Sequence, residues 1–186
     1  MLNKNYYKPA IFFDRDGVLT VSKRIQGKGF APRKLKDFCL YQDAIASTRK
    51  TRDAGFLNIV VSNQPDIATG LLKPSVLSEM NDILFQELAL DDVFNCRHIS
   101  ENNCNCRKPK PGMINSAADK FNIDLSSSWI IGDRDCDIEA GINAGVQTIF
   151  VDRRWASENG FEADFRCKSL GEAVDFILKT RFNVSR

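Results

Sequence analysis

Residues Ala10 to Leu19 read AIFFDRDGVL. An apolar, aromatic run ends abruptly in Asp14 and Asp16, one residue apart, with Gly17 directly behind them. A short hydrophobic strand that delivers carboxylates at its carboxyl end is how an α/β protein places paired acids in a crevice. There Asp14 can attack an electrophile or help hold a cation, and Asp16, beyond a turn, can move a proton. Aspartates also end strands because they suit turns. By itself the decapeptide leaves a reaction centre and a plain turn both open.

The pattern of a short apolar run followed by a helical stretch continues along the chain. Strands are predicted at Ala10 to Phe13, Phe56 to Ser62, Asp92 to Cys96, Trp129 to Asp133 and Gln147 to Asp152. Helices are predicted near Gln42 to Asp53, Lys73 to Ala89, Pro111 to Phe121, Asp135 to Ala144 and Leu170 to Lys179. Gly55 and Gly145 stand where helices stop, and Pro74 and Pro111 where first turns begin. Such alternation implies a parallel sheet covered on both faces, with chemistry at the carboxyl ends of its strands. Lys23 to Asp37, with Gly27, Gly29 and Pro32, is a long polar interruption just after the aspartate pair. A loop of this length is a candidate flap over the site, with a plain mobile loop as the other reading.

Other strand ends carry matching polar groups. After FLNIVV comes Ser62-Asn63-Gln64, whose hydroxyl and amides can donate to phosphoryl oxygens, or can simply form an Asx turn. After WIIG comes Asp133-Arg134-Asp135-Cys136-Asp137. Asp133 and Asp137, four apart, would face one cation if the chain turns into a helix there, and helix capping is the competing explanation. Arg107-Lys108-Pro109-Lys110-Pro111-Gly112 is a basic stretch stiffened by prolines. Cations held beside carboxylates make sense for a phosphate substrate, because they neutralise its oxygens and keep Asp14 ionised.

Just before that stretch, Cys96 and His98 are two apart, and after a gap of five residues Cys104 and Cys106 are again two apart. Two alternating pairs that face each other fit the tetrahedral Cys₃His shell of a structural zinc. His98 is the only histidine of 186 residues, which argues against free thiols beside a chance imidazole. Four protein ligands leave no open position, so this zinc would organise the loop and hold Arg107 and Lys108 at the crevice.

With 26 basic and 24 acidic residues the net charge is +2, so no global field points to nucleic acid or an anionic membrane. The N-terminus lacks an apolar run of signal-peptide length, and no later run approaches the roughly 18 residues of a membrane span. A cytoplasmic, monomeric protein without nucleic-acid or membrane partners is expected, its cysteines reduced or metal-bound.

Taken together, FFDRDGVL, VVSNQ, the cysteine and histidine loop, CRKPKPGM and IIGDRDCD resemble, in this order, phosphatases of the haloacid dehalogenase (HAD) superfamily. Within it they are most similar to the small, nearly capless group that contains the heptose bisphosphate and histidinol phosphate phosphatases. The likeness spans residues 8 to 153. It implies an α/β fold, a three-layer Rossmann-like parallel sheet of HAD type, with a small zinc-binding loop and no large cap domain. One domain over residues 1–186 is expected, with a core at about 8–153 and a terminal helix at about 169–180.

The resemblance further implies that Asp14 is the nucleophile that becomes an aspartyl phosphate and that Asp16 is the general acid, then base. Mg²⁺ would be held by Asp14, Asp133 and the Asp16 carbonyl, with Asp137 beside the ion. Ser62 and Asn63 would bind the transferring phosphoryl group, Lys108 would stand between phosphate and Asp14, and Arg107 would touch substrate. Arg15 and Gln64 join the candidate substrate contacts. Cys96, His98, Cys104 and Cys106 match the group's zinc ligands.

Two segments depart from the heptose pattern. Ser22-Lys23-Arg24 replaces a histidine and tyrosine segment, and Pro65 to Gly70 replaces the sequence SGIARG. Lys23, Arg24 and Arg134 could meet a second anionic group. The expected substrate is therefore a small phosphorylated sugar, first heptose 1,7-bisphosphate, with histidinol phosphate as the alternative. A nucleic-acid-end phosphatase or binding module is the reading from another class, and it would want a basic, aromatic surface without an acidic centre.

Overall fold

A computed structural model describes residues 7–26, 28–154 and 162–184. Its main sheet has six parallel strands: β1 (Ala10–Phe13), β4 (Leu57–Asn63), β5 (Asp92–Cys96), β6 (Trp129–Gly132), β7 (Gln147–Val151) and β8 (Phe165–Cys167), in the order β5-β4-β1-β6-β7-β8. A separate antiparallel hairpin of β2 (Lys23–Ile25) and β3 (Lys28–Phe30) lies within the predicted flap. The helices are α1 (Ala44–Asp53), α2 (Pro74–Glu87), α3 (Gly112–Phe121), α4 (Asp135–Ala144) and α5 (Leu170–Val184).

Side chains alternate across the sheet, and so sort into two cores. Ile11, Phe13, Val60, Ile131 and Ile149 pack with Ala44 of α1, Leu84 of α2 and Leu170, Ala173, Val174 and Ile177 of α5. Ala10, Phe12, Ile59, Val61 and Ile130 pack with Met113, Ile114 and Ala117 of α3 and Ala140 of α4. The result is the expected three-layer HAD arrangement, with no large cap among the described residues.

β1 sits at the centre, bonded to β4 on one side and β6 on the other. The chain runs β1, β4, β5 to one edge and then returns to β6. That reversal leaves a crevice beyond the carboxyl ends of β1, β4 and β6, where ligands bind in open α/β sheets. Asp14, Ser62, Asn63 and Asp133 all fall at this rim because each follows or ends one of these three strands.

Two features were not legible in the sequence. The flap contains an exposed hairpin of only three residues a strand, too short for an alternation signal. The sheet also continues past residue 153, where β8 extends it by one strand; the predicted terminal helix is present as α5, packs against the same core and runs on to Val184.

Candidate active site

Asp14 leaves β1 with its backbone still in the sheet ladder, its N–H donating to the Ile131 carbonyl at 2.9 Å. Its carboxylate meets the ammonium of Lys108, Nζ to Oδ1 2.7 Å. Lys108 is 3% exposed, and the same Nζ lies 2.6 Å from Asp137 Oδ1 and donates to the Val61 carbonyl at 2.6 Å. A buried ammonium thus has two acids and a carbonyl as partners, which is what makes its burial tolerable. Burial works to lower Lys108, but Asp137 and Asp14 outweigh it and hold the amine well above its usual value. For Asp14 the balance goes the other way: burial lifts its carboxyl from 3.8 to about 6, Lys108 opposes the rise, and Asp137 and Asp16 add to it.

Asp14, Asp133 and Asp137 each bring a carboxylate oxygen within 4.8 Å of the others. All three are buried, at 7%, 0% and 1% exposure. A set of hard oxygen donors with one cationic neighbour suits a small divalent ion such as Mg²⁺. Two glycines make this crowding possible. A Cβ on Gly17, which has φ +103°, would lie 2.0 Å from Asp133 Oδ2, and one on Gly132 would lie 2.1 Å from Asp137 Cβ. Either side chain would displace a carboxylate, so both glycines are there for close approach. Their positions beside DRD and before Asp133 were a readable signal that the sequence reasoning left unused. Asp137 also accepts from the Arg134 N–H, Oδ2 at 3.1 Å, so it caps α4 and serves the acidic group at once.

Asp16 faces another way. Its Oδ2 accepts from Arg15 Nε at 3.0 Å, Arg15 Nη2 at 2.8 Å and Gln64 Nε2 at 2.7 Å, while Oδ1 accepts from Thr20 Oγ1 at 2.9 Å. Gln64 Nε2 also donates to Ser62 Oγ at 2.8 Å, which leaves the serine's own hydrogen to point elsewhere. Asn63 is engaged on the protein: its Nδ2 donates to the Lys108 carbonyl at 3.0 Å and its Oδ1 accepts from the Lys108 N–H at 3.1 Å. It clamps the backbone that carries the lysine.

The cysteine and histidine loop closes one side. Cys96, His98, Cys104 and Cys106 each bring one ligand atom into a single group. Sγ of Cys106 is 3.3 Å from Sγ of Cys96, 3.4 Å from Sγ of Cys104 and 3.3 Å from His98 Nδ1. Tetrahedral ligands about 2.0–2.3 Å from a zinc ion stand roughly 3.4–3.8 Å apart, so the group has the size of a zinc shell. Burial opposes ionisation of Cys104, yet hydrogen bonds from Cys106 and the Arg107 backbone bring it down to about 6. Burial and hydrogen bonding with Cys96 and Cys104 push Cys106 up to about 12. Arg107 Nη1 donates to the His98 carbonyl at 3.1 Å, tying the basic stretch to the loop.

Asp14, Asp16, Asp137, Lys108, Ser62, Asn63, Gln64 and Cys104 line one cleft of about 970 Å³, whose walls also include Lys28 and Phe30 of the hairpin, Arg33, Lys110 and Arg134. Asp14, Asp16, Ser62, Asn63, Gln64, Arg107, Lys108, Arg134 and Asp137 therefore come together as the sequence predicts. Three predicted contacts do not. Arg15 is fully buried behind Asp16, and Lys23 and Arg24 lie on the exposed strand β2, outside the cleft lining. Strand β3 rather than β2 borders the cleft and gives it Lys28, Gly29 and Phe30, which the sequence did not single out as contacts. Arg134 reaches across to the flap, Nη2 donating to the Gly29 carbonyl at 2.8 Å. Cys136 also lines the cleft, but burial and Asp137 push its thiol up to about 12, so it offers no rival nucleophile.

A parallel sheet whose central strand ends in a carboxylate, with a buried lysine and two further acids around it, defines a phosphoryl-transfer enzyme of the α/β class. Residues 105–173 match the HAD-hydrolase-like family. The chain is 32% identical over 173 residues to the D-glycero-alpha-D-manno-heptose-1,7-bisphosphate 7-phosphatase of Campylobacter jejuni, covering 90% of this chain and 95% of that one. It is 32% identical over 188 residues to the D-glycero-beta-D-manno-heptose-1,7-bisphosphate 7-phosphatase of Escherichia coli K12, covering 92% and 94%. The crystal structure of D,D-heptose 1,7-bisphosphate phosphatase from B. bronchiseptica, complexed with magnesium and phosphate, superposes with a TM-score of 0.80 at 24% identity over 92% of this chain and 99% of that one. A HAD-like phosphatase from Mesorhizobium loti superposes with a TM-score of 0.74 at 29% identity, covering 93% and 87%. The chain belongs to the HAD phosphatase family and is a phosphoric monoester hydrolase.

Proposed function

We propose that this phosphatase removes the C7 phosphate of D-glycero-D-manno-heptose 1,7-bisphosphate. The observation that carries the reading is the full-length similarity to heptose bisphosphate phosphatases, joined to a cleft in which a carboxylate rests against a buried lysine. Basic groups on the cleft walls suit a substrate with two phosphates better than the cationic amine of histidinol phosphate. A near-neutral chain with an acidic centre gives a nucleic-acid-binding module no support.

In the first displacement Asp14 attacks phosphorus, the bond from phosphorus to the C7 oxygen breaks, and Asp16 gives that oxygen a proton. In the second, Asp16 takes a proton from water, the water oxygen attacks the aspartyl phosphate, and Asp14 and inorganic phosphate are released. Arg15, Gln64 and Thr20 hold the Asp16 carboxylate in place at the cleft wall. Lys108 and the Ser62 hydroxyl neutralise the phosphoryl oxygens, and Asn63 sets the position of Lys108. Asp14, Asp133 and the Asp16 carbonyl would hold Mg²⁺, with Asp137 beside it. When bound, the ion offsets phosphoryl charge and orients the group for in-line attack. Zinc would be held by Cys96, His98, Cys104 and Cys106, as a structural ion.

We also propose a single-domain monomer working in the cytoplasm. No disulfide joins the six cysteines, which suits a reducing compartment, and no helix among the described residues is long and apolar enough to cross a membrane.

The test is phosphate release with Mg²⁺ from both anomers of heptose 1,7-bisphosphate, from histidinol phosphate and from a 3′-phosphorylated oligonucleotide. Heptose bisphosphate should have the highest kcat/KM, with the C7 phosphate lost by ³¹P NMR. Faster turnover of histidinol phosphate or of the oligonucleotide would overturn the assignment.

A further inference from the structure

Six cations line the cleft: Lys28, Arg33, Arg107, Lys108, Lys110 and Arg134. Three have acids to answer them. Lys108 lies on Asp14 and Asp137, and Arg33 lies on Asp66, Nε to Oδ2 2.6 Å and Nη2 to Oδ1 3.2 Å. Arg134 sits in the field of Asp133, Asp14 and Asp137, which outweighs its burial and keeps it firmly charged. The other three charges are not neutralised. Arg107 donates to a carbonyl, Lys110 Nζ donates to the Asn103 side-chain oxygen at 2.7 Å, and the Lys28 ammonium has no partner among the described residues.

The place of Lys28 is nonetheless set. The next residue, Gly29, is held through its carbonyl by Arg134, and Arg33, just past β3, is held by Asp66 at the loop after β4. The hairpin is therefore fastened to the cleft just after Lys28, at Gly29 and Arg33, by two groups that belong to the site. Lys110 stands on the stretch that follows the metal loop, with its amine held near Asn103, another cleft residue.

We propose that Lys28 and Lys110 are specificity-determining residues that hold the phosphate which is not hydrolysed. This rests on the bisphosphate reading above and deepens it. An anion that reaches either ammonium gains a charge-assisted contact without first breaking an ion pair; Lys110 gives up only neutral hydrogen bonds to Asn103, whereas Arg33 would have to leave a carboxylate. Lys23 and Arg24, which the sequence offered for this purpose, line β2 outside the cleft.

The experiment compares kcat/KM for heptose 1,7-bisphosphate with kcat/KM for heptose 7-phosphate in the parent, Lys28→Ala, Lys110→Ala and the double variant. Both lysines are outside the buried core, and circular dichroism checks the fold of each variant. The bisphosphate-to-monophosphate ratio should fall about three- to tenfold in each single variant and further in the double one, chiefly through KM. A ratio within twofold of the parent overturns the proposal, whether the separate rates fall together or not at all. If the parent ignores heptose bisphosphate but hydrolyses another sugar bisphosphate, the functional reading fails, and the same ratio measured on that sugar tests the lysines separately.

Discussion

The chemistry of this protein converges on one carboxylate. Asp14 is nearly enclosed, opposite a buried lysine, and shares its space with Asp133 and Asp137. Burial raises its carboxyl to about 6 in the metal-free protein, so it loses its proton between there and neutrality, and a cation beside it would favour the ionised form at lower pH. Asp14→Asn is close in shape and lacks the carboxylate on which the proposed first displacement depends. Its phosphate release should fall by roughly four orders of magnitude or more, with an unchanged far-ultraviolet circular dichroism spectrum. Activity within tenfold of the parent would place the nucleophile elsewhere. Gly17 and Gly132 are equally specific at this scale, since a single methyl group at either would occupy the space of a carboxylate.

At the scale of elements, the loop from Cys96 to Lys110 couples two sites. Its sulfur and imidazole ligands close on one another, Arg107 is tied to the His98 carbonyl, and Asn63 at the end of β4 grips Lys108 from the other side. Loss of the metal shell should therefore be felt at Lys108, two residues beyond Cys106. Cys104→Ser should lower the zinc content from about one per chain and lower kcat, because thiolate ligation holds the loop. Zinc analysis and steady-state rates on the same preparation check this: unchanged zinc rules out the ligand assignment, and lost zinc with full activity rules out the coupling.

Across the whole molecule, the crevice exists because the sheet reverses its order beside β1, and its acidity is carried as a cost in stability. The Asp14 carboxyl is raised from 3.8 to about 6 on folding, so the folded protein binds the extra proton. The stability this contributes is fully present below pH 3.8 and is lost as pH rises through about 6. The loss for this one group is about 3 kcal/mol. In Mg²⁺-free buffer, urea unfolding should show Asp14→Asn gaining on the parent by that amount between pH 4 and pH 7.5. Added Mg²⁺ should restore the parent and do little for the variant. A stability difference that stays flat across this window would mean that Asp14 is ionised without the ion.

By themselves the residues determined the alternation of strands and helices, the acids at the ends of β1 and β6, the polar tripeptide at the end of β4 and the paired cysteines and histidine. Each is a local pattern: apolar period, turn chemistry and spacing operate over a few residues. Tertiary structure alone decided which groups meet. Asn63 binds the lysine backbone, Arg15 lies behind Asp16, and Lys28 takes the place expected of Lys23 and Arg24. β8 and α5 complete the sheet and core from beyond the recognised motifs. All of these depend on contacts between distant segments and on which strand of a short hairpin borders the cleft, and neither leaves a mark in local sequence.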